Sequence, residues 1–333
     1  MTEVPAPPVG VLVMAYGSPA SIGDVEAYYT HVRRGRPPTP ELLADLVRRY
    51  QAIGGASPLI ERTRAQARGV QDELDRREPG RFLVFLGCKH SPPFLEEAVA
   101  AMEEAGVRQA VGLVLAPHYS ALSVGEYVER VRAAAGATAD GLEVAFVQSW
   151  HLAPGLVDLM ARRLRAAVAG SAVAEAVARA GIPPEEAGRA GGPVEVLITA
   201  HSLPSRILEA GDPYPDQLRE TAEAVTAKAG VTRWRLAWQS AGRTPEPWLG
   251  PDVLEVVRDL PGDVKAVVVC PAGFVSDHLE VLYDIDVEAR ALAGERGLTL
   301  VRTESLNDDP GLVATLAGLV EDRASALAGS PPR

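Results

Sequence analysis

The chain has 333 residues, 47% hydrophobic and 23% charged, an ordinary globular composition with material for about two domains. Its formal net charge of −11 excludes nucleic acid as the main partner, because no long basic run or pervasive positive field is present. Two cysteines, Cys88 and Cys270, are too few for a disulfide framework or a four-cysteine iron–sulfur site, and no stretch approaches the roughly 18 apolar residues of a membrane helix.

The N-terminal residues Met1 to Pro5 lack the basic segment and apolar run of a signal peptide, so a cytoplasmic protein is expected. The first predicted strand, 9–15, stops at Tyr16-Gly17-Ser18-Pro19, a ring-bearing polar residue followed by a turn. The segment 20–58 follows, with Arg33, Arg34 and Arg36, an amphipathic helix over 40–52 bearing Arg48 and Arg49, and the turn Gly54-Gly55. In an acidic protein these arginines make a local basic rim suited to carboxylates or phosphates, although a solvated helix with surface arginines has the same composition. The glycines complete neither a Walker motif nor a dinucleotide fingerprint.

Strands are predicted over 82–87, 111–116 and 143–148, ending near Lys89-His90 and His118, with an amphipathic helix over 93–104. The stretch 170–193 is rich in Ala, Gly and Pro and reads as a helix and linker. Strands over 194–199, 235–239, 266–270 and 299–302 follow, the first closing on Ala200-His201-Ser202. A last helix is expected over 310–327, then a short tail.

Short apolar strands alternating with amphipathic segments predict an α/β fold of parallel sheets, with ligands outside the carboxyl ends of the strands. The halves echo each other. Residues 11–19 align with 196–204, placing Tyr16 opposite His201 at an offset of 185. Pro93-Phe94-Leu95 matches Pro247-Trp248-Leu249, and Leu115-Ala116-Pro117 matches Val269-Cys270-Pro271, both at an offset of 154. A duplicated unit with about 31 extra residues in the first copy is expected. The predicted organisation is an N-terminal Rossmann-like domain over 1–170 with a cleft-covering insertion at about 20–58, and a linker over 171–193. A C-terminal Rossmann-like domain over 194–308 and a helix within 309–333 packing back on the first domain complete it. Each domain is expected to hold a four-stranded parallel sheet flanked by helices, with a cleft between the two.

A helix is predicted to begin at Ser276, carrying Glu280, Asp284 and Glu288 four residues apart, with Asp277 one turn before Glu280. Like charges at that spacing repel, so a structural helix gains nothing from the stripe, and an acidic solvated face is the bland alternative. One imidazole, His201, with a line of oxygen ligands suits a divalent metal bound loosely beside a His–Glu acid–base pair. Structural zinc and zincin patterns are absent. His31, His118 and His151 read as structural, and His90 as either a surface residue or a ligand contact.

The stretches LVMAYGSP (12–19), YYTHVRRGRPP (28–38), RYQAIGGASPL (49–59), LAPHYSALSVGEY (115–127), AHSLP (200–204), GDPYPDQL (211–218), WQSAGRTPEPWLGPDV (238–253) and GFVSDHLEVLYD (273–284) carry a further signal. With them the chain resembles the ferrochelatases, in particular the monomeric, soluble group of Gram-positive bacteria. The resemblance implies insertion of Fe(II) into coproporphyrin III, giving coprohaem for later decarboxylation to haem, with protoporphyrin IX as the alternative substrate. It implies that His201 and Glu280 face each other across the porphyrin and that His201, Glu280, Asp284 and Glu288 bind or relay metal. By the same likeness Tyr16 sits at an axial position of the iron, and Arg33, Arg49, Tyr50, Ser57 and Tyr127 hold propionates or line the pocket mouth. Some members carry a [2Fe–2S] cluster held by cysteines; with two cysteines, this chain is expected to hold none and no tightly bound cofactor. A monomer in transient contact with a coprohaem decarboxylase is expected, with no membrane partner. The competing readings are a cobalt or nickel chelatase of the same fold, disfavoured by Tyr16 and a single His201, and a tetrapyrrole or metal carrier without turnover.

Overall fold

The computed structural model describes residues 7–139, 141–183 and 192–328, and its chain divides into two compact units. Unit 1 comprises 1–47, 56–150 and 307–333; unit 2 comprises 48–55 and 151–306.

Unit 1 holds β1 (Val9–Ala15), β2 (Phe82–Cys88), β3 (Gln109–Val114) and β4 (Glu143–Val147), all parallel, in the order β2-β1-β3-β4. β1 is central, and its residues from Gly10 onward are buried, which explains an apolar run without alternation. Its helices are α1 (Val25–Val32), the start of α2 (Pro40–Ala52), α3 (Leu59–Arg77), α4 (Leu95–Glu104) and α5 (Glu126–Gly136). Leu12, Met14, Leu95, Met102, Val131 and Phe146 form a core between the sheet and α4 and α5. Unit 2 repeats the plan with β5 (Val194–His201), β6 (Trp234–Gln239), β7 (Ala266–Cys270) and β8 (Thr299–Arg302), in the order β6-β5-β7-β8. Its helices are α6 (Pro154–Val168), α7 (Ser171–Arg179), α8 (Arg206–Glu209), α9 (Tyr214–Ala229), α10 (Val253–Arg258) and α11 (Arg290–Glu295). Leu197, Val257, Val267, Val269 and Ile285 anchor its core.

The duplication is visible in the register, but not at the offset of 154. Cys88 N–H donates to Pro93 O, and Trp238 N–H donates to Pro251 O. Both following helices open with a capping box, at Phe94/Glu97 and at Asp252/Glu255. The equivalent positions are therefore 158 apart, and the Pro-aromatic-Leu match sits four residues out of register. β1 residues pair with β2 residues 73 positions on (Val9 with Phe82), whereas β5 residues pair with β6 residues 38 on (Val196 with Trp234), so the first copy carries 35 extra residues.

Two boundaries differ from expectation. α6 packs on α9 and β7 and belongs to unit 2, so the division falls after Trp150 and not near 170. Residues 171–179 of the expected linker are α7, which packs on β8 and β7, with Arg179 donating to Thr299 Oγ1 at 3.3 Å. Of the remainder of that linker, 184–191 lie outside the described residues, as does most of the C-terminal tail. α12 (Pro310–Ala328) packs on α3, β3 and β4 of unit 1, where Arg77 pairs with Glu321 at 2.6 Å and Gln66 Nε2 donates to Asn307 O at 2.7 Å. Among the described residues, no helix is long and apolar enough to cross a membrane.

Candidate active site

β5 delivers His201 as its last residue, at the carboxyl edge of the second sheet. The backbone there is pinned from two sides. Tyr214 Oη donates to His201 O at 3.0 Å, and Ser202 N–H donates to Gln239 O at 2.7 Å. After β7 the chain turns back over this edge. Gly273 lets it do so: a Cβ there would meet Ala200 Cβ at 2.5 Å and Cα at 2.8 Å. Glu280 then opens the segment Val281–Ala289, which is π-helical rather than the expected α-helix. Gln239 fixes its start, accepting from Thr199 Oγ1 at 2.9 Å and donating to Glu280 O at 3.2 Å.

This construction brings His201 Nε2 to 3.6 Å from Glu280 Oε1. The other carboxylate oxygen lies 3.5 Å from His278 Nε2, so Glu280 stands between two imidazoles. His278 was not singled out from sequence; its i−2 spacing from Glu280 gave no helical signal. Although the His201 ring keeps 34% of its surface open, burial is the largest influence on it and disfavours the imidazolium. The Glu280 carboxylate, the Ser202 carbonyl and Asp284 overcome that influence and push the His201 pKa up to about 9. Burial likewise opposes the Glu280 charge, but His201 and His278 hold its carboxyl well below the usual range. At neutral pH the pair is an imidazolium facing a carboxylate.

One turn on, Asp284 is 9% exposed and is met by Arg49 Nη1 at 3.3 Å and by the Ser240 hydroxyl, which donates to its second oxygen. Ser240 does this from a left-handed backbone (φ 61°), a conformation that costs a non-glycine residue on the order of 1 kcal/mol. Burial pushes Asp284 up to about 7; Glu280 and Glu288 add to the rise, while Ser240 and Arg49 work against it. Arg49 Nη2 reaches Glu288 at 4.0 Å, and its guanidinium lies 4.8 Å from the Tyr283 ring centre, with Arg48 donating to Tyr283 Oη at 3.2 Å. Arg49 thus meets the acidic stripe rather than an open mouth. Asp277 leaves the stripe, accepting from Ser305 Oγ at 2.7 Å. Among the described residues, no three His, Cys, Asp or Glu side chains converge on one metal position.

In unit 1, Tyr16 follows β1 and is 42% exposed, its ring 4.5 Å from His90. His90 Nδ1 stands 3.0 Å from His31 Nδ1; burial first, then the charges of Lys89, His31 and Arg130, drive His90 down to about 3, so it is neutral. Lys89 is buried, pairs with Glu126, and lies 6.0 Å from the Tyr16 ring centre and 5.3 Å from that of Tyr127. Arg33 remains at the surface, donating to Arg36 O at 3.3 Å. Tyr50, Ser57 and Tyr127 are all buried: Ser57 Oγ accepts from Leu59 N–H at the start of α3, and the Tyr127 ring lies beneath Lys89. Cys88 and Cys270 are free and buried, burial pushing each thiol up to about 11.

The family model described as ferrochelatase matches residues 8–324. The chain belongs to the ferrochelatase family. A coproporphyrin III ferrochelatase of Geobacillus sp. (strain WCH70) is 43% identical over 318 residues, 95% of this chain and 97% of that one. The coproporphyrin III ferrochelatase of Bacillus subtilis (strain 168) is 42% identical over 315 residues, covering 94% and 96%. A relative named simply ferrochelatase, from Deinococcus radiodurans, is 42% identical over 325 residues, covering 96% and 98%. Among solved structures, the sirohydrochlorin chelatase SirB of Bacillus subtilis subspecies spizizenii, in complex with cobalt, superposes with a TM-score of 0.58 over 97% of this chain and 98% of its own. At 10% identity that likeness shows the fold alone.

Proposed function

We propose that this protein inserts Fe(II) into coproporphyrin III, giving coprohaem in haem biosynthesis. The observation that carries this reading is the His201–Glu280 pair at the β5 edge, followed by Asp284 and Glu288 along one face, in a ferrochelatase-family chain. The names of the two Gram-positive relatives support coproporphyrin III as the ring.

Metallation removes two pyrrole protons and requires a hydrated cation to reach nitrogens that lie in a rigid plane. A site that binds the bent ring better than the flat one lowers that barrier. His201 takes pyrrole protons or delivers iron, and either role first requires the imidazolium to lose its proton. Glu280 stabilises the imidazolium when it forms. Asp284, poised near neutrality, and Glu288, a third exposed, continue the line along which protons leave or metal arrives. The loose spread of these groups suits a cation that must be released into the ring; a tight cage would retain it.

Arg33 bears positive charge for propionates in an acidic chain, Arg49 serves the acidic stripe, and the exposed Tyr16 phenol would face the metal. Tyr50, Ser57 and Tyr127 belong to the lining of the pocket mouth in this reading. Fe(II) is a substrate in this reading, and no tightly bound cofactor or iron–sulfur cluster takes part. The protein acts as a cytoplasmic monomer and hands coprohaem to a decarboxylase in a transient contact.

Anaerobic incubation of substoichiometric protein with Fe(II), run in parallel with coproporphyrin III and protoporphyrin IX, tests the reading. Multiple turnovers with a preference for coproporphyrin III are expected. A preference for protoporphyrin IX replaces the substrate, and stoichiometric metallation with either ring leaves a carrier.

A further inference from the structure

Glu280 is held weakly by its own contacts. Its two imidazole partners stand at 3.6 and 3.5 Å, and the position of its carboxylate is therefore set by the segment that carries it. That segment is under stress. An i→i+5 ladder has poorer geometry than an α-helix, and Glu280, Asp284 and Glu288 repel along it. Contacts from outside the ladder hold it: Gln239 at Glu280 O, and Arg49 and Ser240 at Asp284 and Glu288, leave the stretch around Asp286 to be fixed.

Arg302, the last residue of edge strand β8, is placed to do so. Its side chain is only 13% exposed. Nε lies 3.1 Å from both Asp286 oxygens, and Nη2 donates to Asp286 Oδ2 at 2.9 Å. Nη1 lies 3.3 Å from Asp277 Oδ1 and donates to Thr303 O and Ser305 Oγ, each at 3.0 Å. Ser305 Oγ in turn donates to Asp277 Oδ1 at 2.7 Å, closing the ring of contacts. Asp277 precedes Glu280 by three residues and Asp286 follows it by six. One planar cation thus grips the chain on both sides of the working carboxylate. A fork of this kind fixes orientation in a way a lysine ammonium does not. Arg290 also reaches Asp286 at 3.1 Å, but its side chain is 54% exposed and belongs to the same helical run, so it cannot tie that run to the sheet.

The geometry points to Arg302 as a positioning residue for metal insertion: by bolting Asp277 and Asp286 to the sheet edge, it keeps Glu280 in line with His201. This rests on the reading of Glu280 as a working carboxylate. Arg302→Gln is expected to lower kcat for Fe(II) insertion into coproporphyrin III on the order of tenfold, as displaced catalytic groups do, with KM for the porphyrin little changed. In a Glu280→Gln background the same substitution is expected to cost little more, because the group it positions is already disabled. Arg302→Lys, which keeps the charge without the fork, is expected to recover only part of the rate. An unchanged kcat, or an equal loss in both backgrounds, overturns the proposal. Where Arg302→Gln does not fold, Ser305→Ala removes only the hydroxyl between Arg302 and Asp277. A smaller fall confined to the Glu280-containing background supports the proposal; no fall, or the same fall in both, overturns it. Wild-type turnover by Glu280→Gln itself instead overturns the assignment of Glu280, a different failure.

Discussion

A protonated imidazole repels a divalent cation and cannot accept a pyrrole proton, so His201 works only after it discharges. With its pKa pushed up to about 9, the competent fraction grows as pH rises. The kcat/KM for metal insertion is therefore expected to climb through an apparent pKa closer to 9 than to the ordinary value of 6.5, and Glu280→Gln is expected to shift that limb downward. A limb at the ordinary value in both proteins contradicts the pairing. Asp284, whose burial outweighs its Arg49 partner, offers a stability readout of the opposite sign from an acid whose pKa is lowered on folding. Its folded pKa of about 7 lies above the ordinary 3.8, so the native state binds more protons between those values. Stability from this group falls as pH rises across that window and levels off above about 7. Asp284→Asn, which mimics the neutral form, is expected to raise the melting temperature at pH 8 relative to wild type and to change it little at pH 4, while slowing turnover. A lower melting temperature at pH 8 contradicts the assignment. His201, Glu280, Asp284 and Glu288 were legible in the sequence because strand tips and four-residue spacing are local signals. The contacts of His278, Ser240 and Arg302 were not, because they depend on a left-handed residue and on approaches across the sheet edge.

The π-helical segment Val281–Ala289 is the element on which the stripe depends. Sequence spacing identifies an acidic face but cannot distinguish an i→i+4 from an i→i+5 ladder, since residues four apart remain neighbours in both. The first copy has a shorter π-helical turn, Ala121–Gly125, after β3, in the place that the extended segment takes after β7. Deleting Val287, an exposed residue, is expected to let the run relax toward an α-helix, keeping the melting temperature close to that of wild type. Turnover is expected to fall by about 10²-fold as Asp284 and Glu288 lose their relation. Full activity contradicts a role for the π geometry. Each described strand was legible because it centres on apolar residues bounded by turns; β3 alone is displaced, running over Gln109–Val114 and not 111–116. α3 was not, because its polar composition resembles that of a loop until β2 and α12 cover one face.

At the scale of the molecule, a chain of net charge −11 binds a tetracarboxylate ring only through local positive charge. Arg33 is one such charge, half-buried on unit 1, where it donates to Arg36 O and lies over the Tyr29 ring. Arg33→Ala is expected to raise KM for coproporphyrin III with kcat little changed, and to weaken the dependence of KM on ionic strength. A fall in kcat alone contradicts a binding role. Metal insertion turns on the imidazole at the β5 edge. Anaerobic turnover of Fe(II) and coproporphyrin III by wild-type and His201→Ala proteins, both shown to be folded by thermal melting, addresses it most directly. A loss in kcat of about 10²-fold or more with porphyrin binding retained is the predicted result; a folded His201→Ala protein turning over near the wild-type rate contradicts it.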